Sequence, residues 1–164
     1  MKRRWQALAL ALLSSCAVTI TAFSAESPPS RMLTITKITD GDSLRSGDIR
    51  IRIHGIDAPE MRQICNRPEA YQCGVAARDY LASALGDDAV LRCEHLDTDR
   101  YQRLVMRCYH NGIDIGAGMV RAGWALAYRR YSEDYVADER QAQAAKAGMW
   151  QGRFETPEAW RRAN

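Results

Sequence analysis

The sequence contains no internal repeat and no low-complexity tract, which excludes a solenoid or a propeller. It has no C-x-x-C pair, and its three histidines, His54, His95 and His110, stand singly. Structural zinc needs closely spaced thiolate and imidazole ligands, so zinc is set aside. No acidic segment has the spacing of an EF-hand loop, so any calcium site must be assembled from separate strands. Nor is there a general excess of positive charge. The formal net charge of +3 is supplied by Lys2, Arg3 and Arg4, which lie in residues 1–25 where there is no acid. Beyond them 20 acidic groups face an equal number of basic ones, so affinity for a polyanion has to come from placed charges. The basic side chains are nearly all arginine, which meets phosphate as a bidentate fork.

What the first residues do have is the pattern of an export signal. After the charged start, an apolar stretch runs from Ala7 to Phe23, and Ala22, Ser24 and Ala25 offer a cleavage site. Cutting after Ser24 leaves Ala22 at position −3, whereas cutting after Ala25 puts bulky Phe23 there. The apolar run, interrupted by Ser and Thr, is short for a membrane-spanning helix. Leu13-Ser14-Ser15-Cys16 looks like a lipoprotein box, so a lipid-anchored form at Cys16 is the alternative; the apolar region continues past it, which favours simple cleavage. The sequence therefore predicts an exported protein, secreted or periplasmic. Its expected parts are a signal peptide at 1–25, an extended leader at 26–31, one domain at 32–150 and a tail at 151–164 packed on it.

Removing the signal leaves Cys65, Cys73, Cys93 and Cys108. An even number in an exported chain predicts two disulfides. Proximity pairs Cys65 with Cys73 across one loop and Cys93 with Cys108 across two strands, with buried free thiols as the alternative.

Leu33 to Thr39 reads as a strand, Asp40-Gly41-Asp42 breaks it, and Ser43 to Arg45 continues to a turn at Ser46-Gly47-Asp48. Ile49, Ile51 and Ile53 alternate with Arg50, Arg52 and His54, so the isoleucines face a core and the arginines the opposite side. Pro59 ends that pairing, and Met61 to Gln72 reads as loop. A helix is expected over 74–85 with Gly86 as its stop, then strands at 89–95 and 102–109 and a short helix at 114–122. Ser132, followed by Glu133 and Asp134, is expected to cap a further helix. Three strands, a helix, two strands and two helices predict a mainly β, α+β domain: a five-stranded Greek-key OB-fold barrel with about three flanking helices.

Between Ile38 and Glu60 the chain gathers Asp42, Asp57 and Glu60 around a strand carrying Arg50 and Arg52. Asp42 and Asp57 are oxygen ligands suited to Ca²⁺ or Mg²⁺. Glu60 can act on a water as general base, and Arg52 with Arg103 can clamp the charge that builds on a phosphorane. Taken singly, each residue is better read as part of a surface ion pair or an Asx turn; together they suggest phosphodiester chemistry.

The strings D-G-D-S at Asp40, R-I-R-I-H-G-I-D-A-P-E at Arg50 and T-D-R-Y-Q-R at Thr98 resemble the staphylococcal (micrococcal) nuclease family. The resemblance runs from about Leu33 to Trp150 and includes Met119 to Ala125 and the closing Ala147-Gly148-Met149-Trp150. It implies an OB-fold enzyme that cleaves DNA and RNA with Ca²⁺, leaving 3′-phosphate ends. By resemblance, Asp42 and Asp57 are the carboxylate calcium ligands and Ala58, where the familiar member has Thr, offers its carbonyl. Arg52 and Arg103 match the catalytic arginines and Glu60 the proposed general base. Asp99, Arg100 and Tyr101 match a nucleotide-contacting stretch, with Arg100 in place of Lys, and Tyr128 and Tyr131 fall near the base-pocket tyrosines. Stacking on tyrosine is indifferent to base identity, so broad use of DNA and RNA, preferably unstructured, is expected. No protein partner is implied, and a monomer is expected. One departure stands out: Gln102 occupies a position where glycine usually precedes the second arginine. A rival of another class is a non-catalytic OB-fold module that only binds nucleic acid; the presence of all five acidic and arginine residues argues against it.

Overall fold

The structure, a computed structural model, describes residues 29–164. The expected signal peptide with Cys16, and the first half of the leader, lie outside the described residues. In chain order the elements are β1 (Ser30–Thr34), β2 (Lys37–Ile38), β3 (Ser43–Ser46), β4 (Ile49–Ile53), β5 (Ile56–Asp57), β6 (Ile64–Arg67), β7 (Glu69–Gln72) and α1 (Cys73–Leu85). They continue with β8 (Val90–Thr98), β9 (Leu104–His110), β10 (Ile113–Asp114), α2 (Ile115–Arg121), β11 (Leu126–Ala127), α3 (Val136–Ala144), a 3₁₀ turn (Gly148–Gln151) and α4 (Pro157–Ala163).

The first strand comes in two halves, and that break closes the barrel. β1 pairs antiparallel with β8, whereas β2 pairs antiparallel with β3. At the bend the Ile35 N–H donates to Ala89 and the Thr36 N–H to Arg45, so consecutive residues bond to opposite edges of the sheet. The remaining ladders run β3 with β4, β4 parallel to β9, and β9 with β8. Five strands thus close into the expected OB-fold barrel. The alternation in β4 does what its period of two requires: Ile51 and Ile53 are buried and Arg50 is exposed. Leu44, Leu91 and Met106 fill the interior with them, and α1 and α2 cover it through Leu81 and Met119.

Both expected disulfides are present. Cys93 and Cys108 are directly opposite in the β8–β9 ladder and fully buried. Cys65 and Cys73, with Cα atoms 5.6 Å apart, close a second, smaller core with Leu126 and Met149, against which Trp150 and Phe154 pack.

Two expectations are corrected. Residues 61–72 are not plain loop but carry the β6–β7 hairpin, whose Asn66 bridges to Arg153 in the tail. Ser132 does not cap a helix: its hydroxyl accepts from the Asp134 N–H at 3.1 Å, and α3 starts only at Val136. The cause is Tyr135, whose ring is buried against Gly55 and Gly116 and whose hydroxyl donates to Asp114 at 3.0 Å, holding the chain out of helical register. The tail carries a helix, α4, which Thr156 caps with Pro157 in its first turn.

Candidate active site

The D-G-D turn lies hard against the start of the I-D-A-P-E segment. A Cβ at Gly41 would sit 2.7 Å from that of Ala58, so only glycine allows the approach. Asp40 accepts from the Asp42 N–H at 3.0 Å, an Asx turn that fixes the loop. Asp42 then accepts from the Ala58 N–H at 2.7 Å and from the Ser43 hydroxyl at 3.1 Å. Asp42 is 6% exposed and Asp57 3% exposed. Two carboxylates so deeply placed require a nearby cation.

Arg52 supplies it. Its guanidinium contacts Asp42, reaches Asp57 at 3.3 Å and donates to the Ile56 carbonyl at 3.1 Å. Burial lowers the Arg52 pKa, an effect Asp57 opposes. Burial likewise raises the Asp57 carboxyl above its ordinary range, against the pull of its arginine partners, and raises Asp40 in the same way. Arg103 enters from the start of β9. Its Nε donates to Asp99 at 2.7 Å and its Nη1 to the Ser43 hydroxyl at 3.3 Å. Ser43 therefore links Arg103 to Asp42, and both arginines meet on the D-G-D-S turn.

The turn before Arg103 holds Gln102, where the resemblance leads one to expect glycine. Gln102 has φ 61°, the left-handed region that costs a side chain about 1–2 kcal/mol. The conformation persists because Asp99 accepts from the Tyr101 and Arg103 N–H groups, each at 2.9 Å. Gln102→Gly is expected to raise stability by about 1 kcal/mol by removing this strain, read as a higher Tm with activity retained.

The other expected substrate residues divide into two groups. Arg100 and Tyr101 sit on the same turn, joined at 2.6 Å through the Tyr101 hydroxyl, with Arg103 5.6 Å from the Tyr101 ring centre. Tyr128 and Tyr131 lie edge to face, 4.9 Å apart, with Tyr131 67% exposed. Burial raises the Tyr128 pKa, and the nearby Asp57 charge adds to it. Tyr128 and Asp57 line one cleft of about 220 Å³ together with Arg130, Thr156 and Glu158. Among the acidic and arginine residues Glu60 is less enclosed than Asp42, Asp57, Arg52 or Arg103. Its N–H donates to the Gln63 side chain at 3.2 Å.

Two residues were not visible from the sequence. Gln63, fully buried, holds the Glu60 turn and donates to the Glu155 carbonyl at 2.6 Å. Arg161, on α4, donates to both oxygens of Asp57 at 2.9 and 3.0 Å and to Glu60 at 2.8 Å. The signal for its helix was Thr156-Pro157-Glu158, a cap followed by proline at the first helical position.

A β barrel that brings two arginines and a carboxylate set together suits chemistry on a phosphate ester. Comparison with known proteins makes that specific. Residues 50–152 match the model of the staphylococcal nuclease homologue family. An "Uncharacterized endonuclease" of Haemophilus influenzae is 32% identical over 159 residues, covering 92% of this chain and 84% of its own. A succinoglycan biosynthesis protein of Rhizobium meliloti is 29% identical, covering 72% of this chain and 64% of its own. An "Uncharacterized endonuclease" of Escherichia coli O157:H7 is 30% identical, covering 71% and 74%. The chain belongs to the staphylococcal nuclease family and is a phosphodiester hydrolase.

Proposed function

We propose that the protein is an exported, Ca²⁺-dependent nuclease that hydrolyses DNA and RNA alike to 3′-phosphate ends. The observation that carries the reading is the meeting of Arg52 and Arg103 on the turn that holds Asp42. A phosphodiester passing to its pentacoordinate form gains charge on its non-bridging oxygens. Guanidinium forks already held by Asp57 and Asp99 need no reorganisation to meet it. Glu60, exposed enough to touch solvent, would take the proton of an attacking water as the 5′-oxygen departs. Tyr101, Tyr128 and Tyr131 offer faces for bases without hydrogen-bond readout, which supports tolerance of both sugars and all bases.

Among the described residues no three Asp, Glu, His or Cys side chains converge as a metal-ligand set. Asp42 and Asp57 nevertheless gather about one positive centre, Arg52, so their oxygens suit a hard cation that takes further ligands from main-chain carbonyl and water. Asp42, Asp57 and the Ala58 carbonyl would hold calcium, which would add charge stabilisation at the phosphate beyond what the arginines provide. Export is supported by the two disulfides and by the residues that precede the described part of the chain.

Single-stranded DNA and RNA incubated with the protein should be degraded in Ca²⁺ and spared in EGTA. Glu60→Gln should lose at least about 10²-fold in rate. Degradation in EGTA would overturn calcium dependence, full activity of the variant would remove Glu60 from its role, and binding without cleavage would return the protein to the non-catalytic class.

A further inference from the structure

The α4 helix lies beyond residues 50–152, yet it delivers a side chain to the middle of the site. Arg161 takes both oxygens of Asp57 with its two terminal nitrogens and reaches Glu60 with one of them. Its delivery is built rather than incidental. Asn66 and Arg153 exchange backbone hydrogen bonds at 3.0 and 2.9 Å. Two residues on, the Glu155 carbonyl accepts from buried Gln63, the residue that also holds the Glu60 N–H. Thr156 then caps the helix by accepting from the Ala159 N–H at 3.3 Å. The tail is thus pinned to the turn that carries Glu60, and Arg161 follows one helical turn later.

That placement sets up a competition. A divalent cation bound at Asp42 and Asp57 needs oxygens that Arg161 already holds on the Asp57 side. Arg52 and Arg161 already offset two of the three charges of Asp42, Asp57 and Glu60, so a divalent cation would meet one uncompensated carboxylate rather than three. We propose that Arg161 is an internal counter-cation that competes with the metal for Asp57 and Glu60, so that metal binding and release of the α4 guanidinium form one equilibrium. This rests on the calcium reading above. The tail then sets the cation concentration at which the enzyme switches on, because releasing Arg161 costs part of the metal's binding free energy.

The experiment is a calorimetric titration of the whole mature chain with Ca²⁺ alone, for wild type, Arg161→Gln and Arg161→Lys, without nucleic acid. Amide hydrogen exchange over residues 157–163 is measured with and without Ca²⁺. Arg161 is about one-third exposed and outside the core, so these variants fold. Arg161→Gln is expected to bind Ca²⁺ about fivefold or more tighter than wild type. Arg161→Lys, which keeps the charge and loses the fork, should fall between them. Calcium should speed exchange in α4 of the wild type. Calcium binding by the variant alone would also support the proposal. Equal or weaker binding by Arg161→Gln, or exchange in α4 that ignores calcium, overturns this inference and leaves the calcium site standing. No binding by any of the three overturns the calcium reading and the inference with it.

Discussion

Arg52→Lys is expected to cost the enzyme about 10²–10³ in kcat while shifting Tm by only a few degrees. Lysine keeps a positive charge between Asp42 and Asp57, so the two buried carboxylates are not abandoned. What it loses is the planar fork that reaches Asp42 with one nitrogen and Asp57 and the Ile56 carbonyl with the other, the geometry proposed to meet the phosphate. Arg52→Ala separates the two roles. It removes the fork and the charge together, leaves Asp42 and Asp57 buried without this partner, and should destabilise the fold by about 3–5 kcal/mol as well. Chemical denaturation beside initial-rate measurements reads both effects. If Arg52→Lys retained near-native kcat, the fork would have no part in the reaction, and Arg103 would have to carry the phosphorane charge alone.

The second large effect concerns Cys93 and Cys108. Their bridge joins β8 to β9 in the interior and closes a segment of 15 residues. A Cys93→Ala, Cys108→Ala variant is expected to lose about 3 kcal/mol. For a domain of this size that lowers Tm by about 10 °C. Rates should be affected chiefly through loss of folded protein, since Arg103 stands just before β9 begins. The Cys65–Cys73 bridge closes only 8 residues, yet it steadies the hairpin that holds the tail. Its removal should show first as faster hydrogen exchange in α4 and only then as a lower Tm.

The stretch from Ile38 to Glu60 could be read from the sequence because its information is local. Alternation in β4 fixes which side Arg52 faces, and the Asp40-Gly41-Asp42 turn needs no distant partner. The barrel followed from strand order, and the cysteine pairs from proximity. Arg103 was a different matter. It meets Ser43 from sixty positions away, and the sequence pointed to its role beside Arg52 without showing that contact. Arg161 lies 104 positions from Asp57, in a tail whose sequence shows a helix start but nothing of what the helix will touch. Periodicity tells which face is buried and is silent on the partner. The β6–β7 hairpin was hidden for a related reason: its four-residue strands are mostly polar, and it is held by a disulfide and a bridge to the tail rather than by an apolar face. At Ser132 the local helix signal was real but was overridden by the burial of Tyr135.

Because β4 and β9 pair in parallel, the barrel cannot close until the chain has passed through α1 and returned along β8. Such non-local pairing forms late and slowly. Until it forms, Arg103 has no reason to stand near Ser43, and the two guanidinium groups are separate residues on a loose polymer. A chain that ends before residue 104 is therefore expected to carry the carboxylates, Arg52 and Arg103 without the β4–β9 pairing that brings the two guanidinium groups together, and so to show no cleavage when assayed beside the full chain.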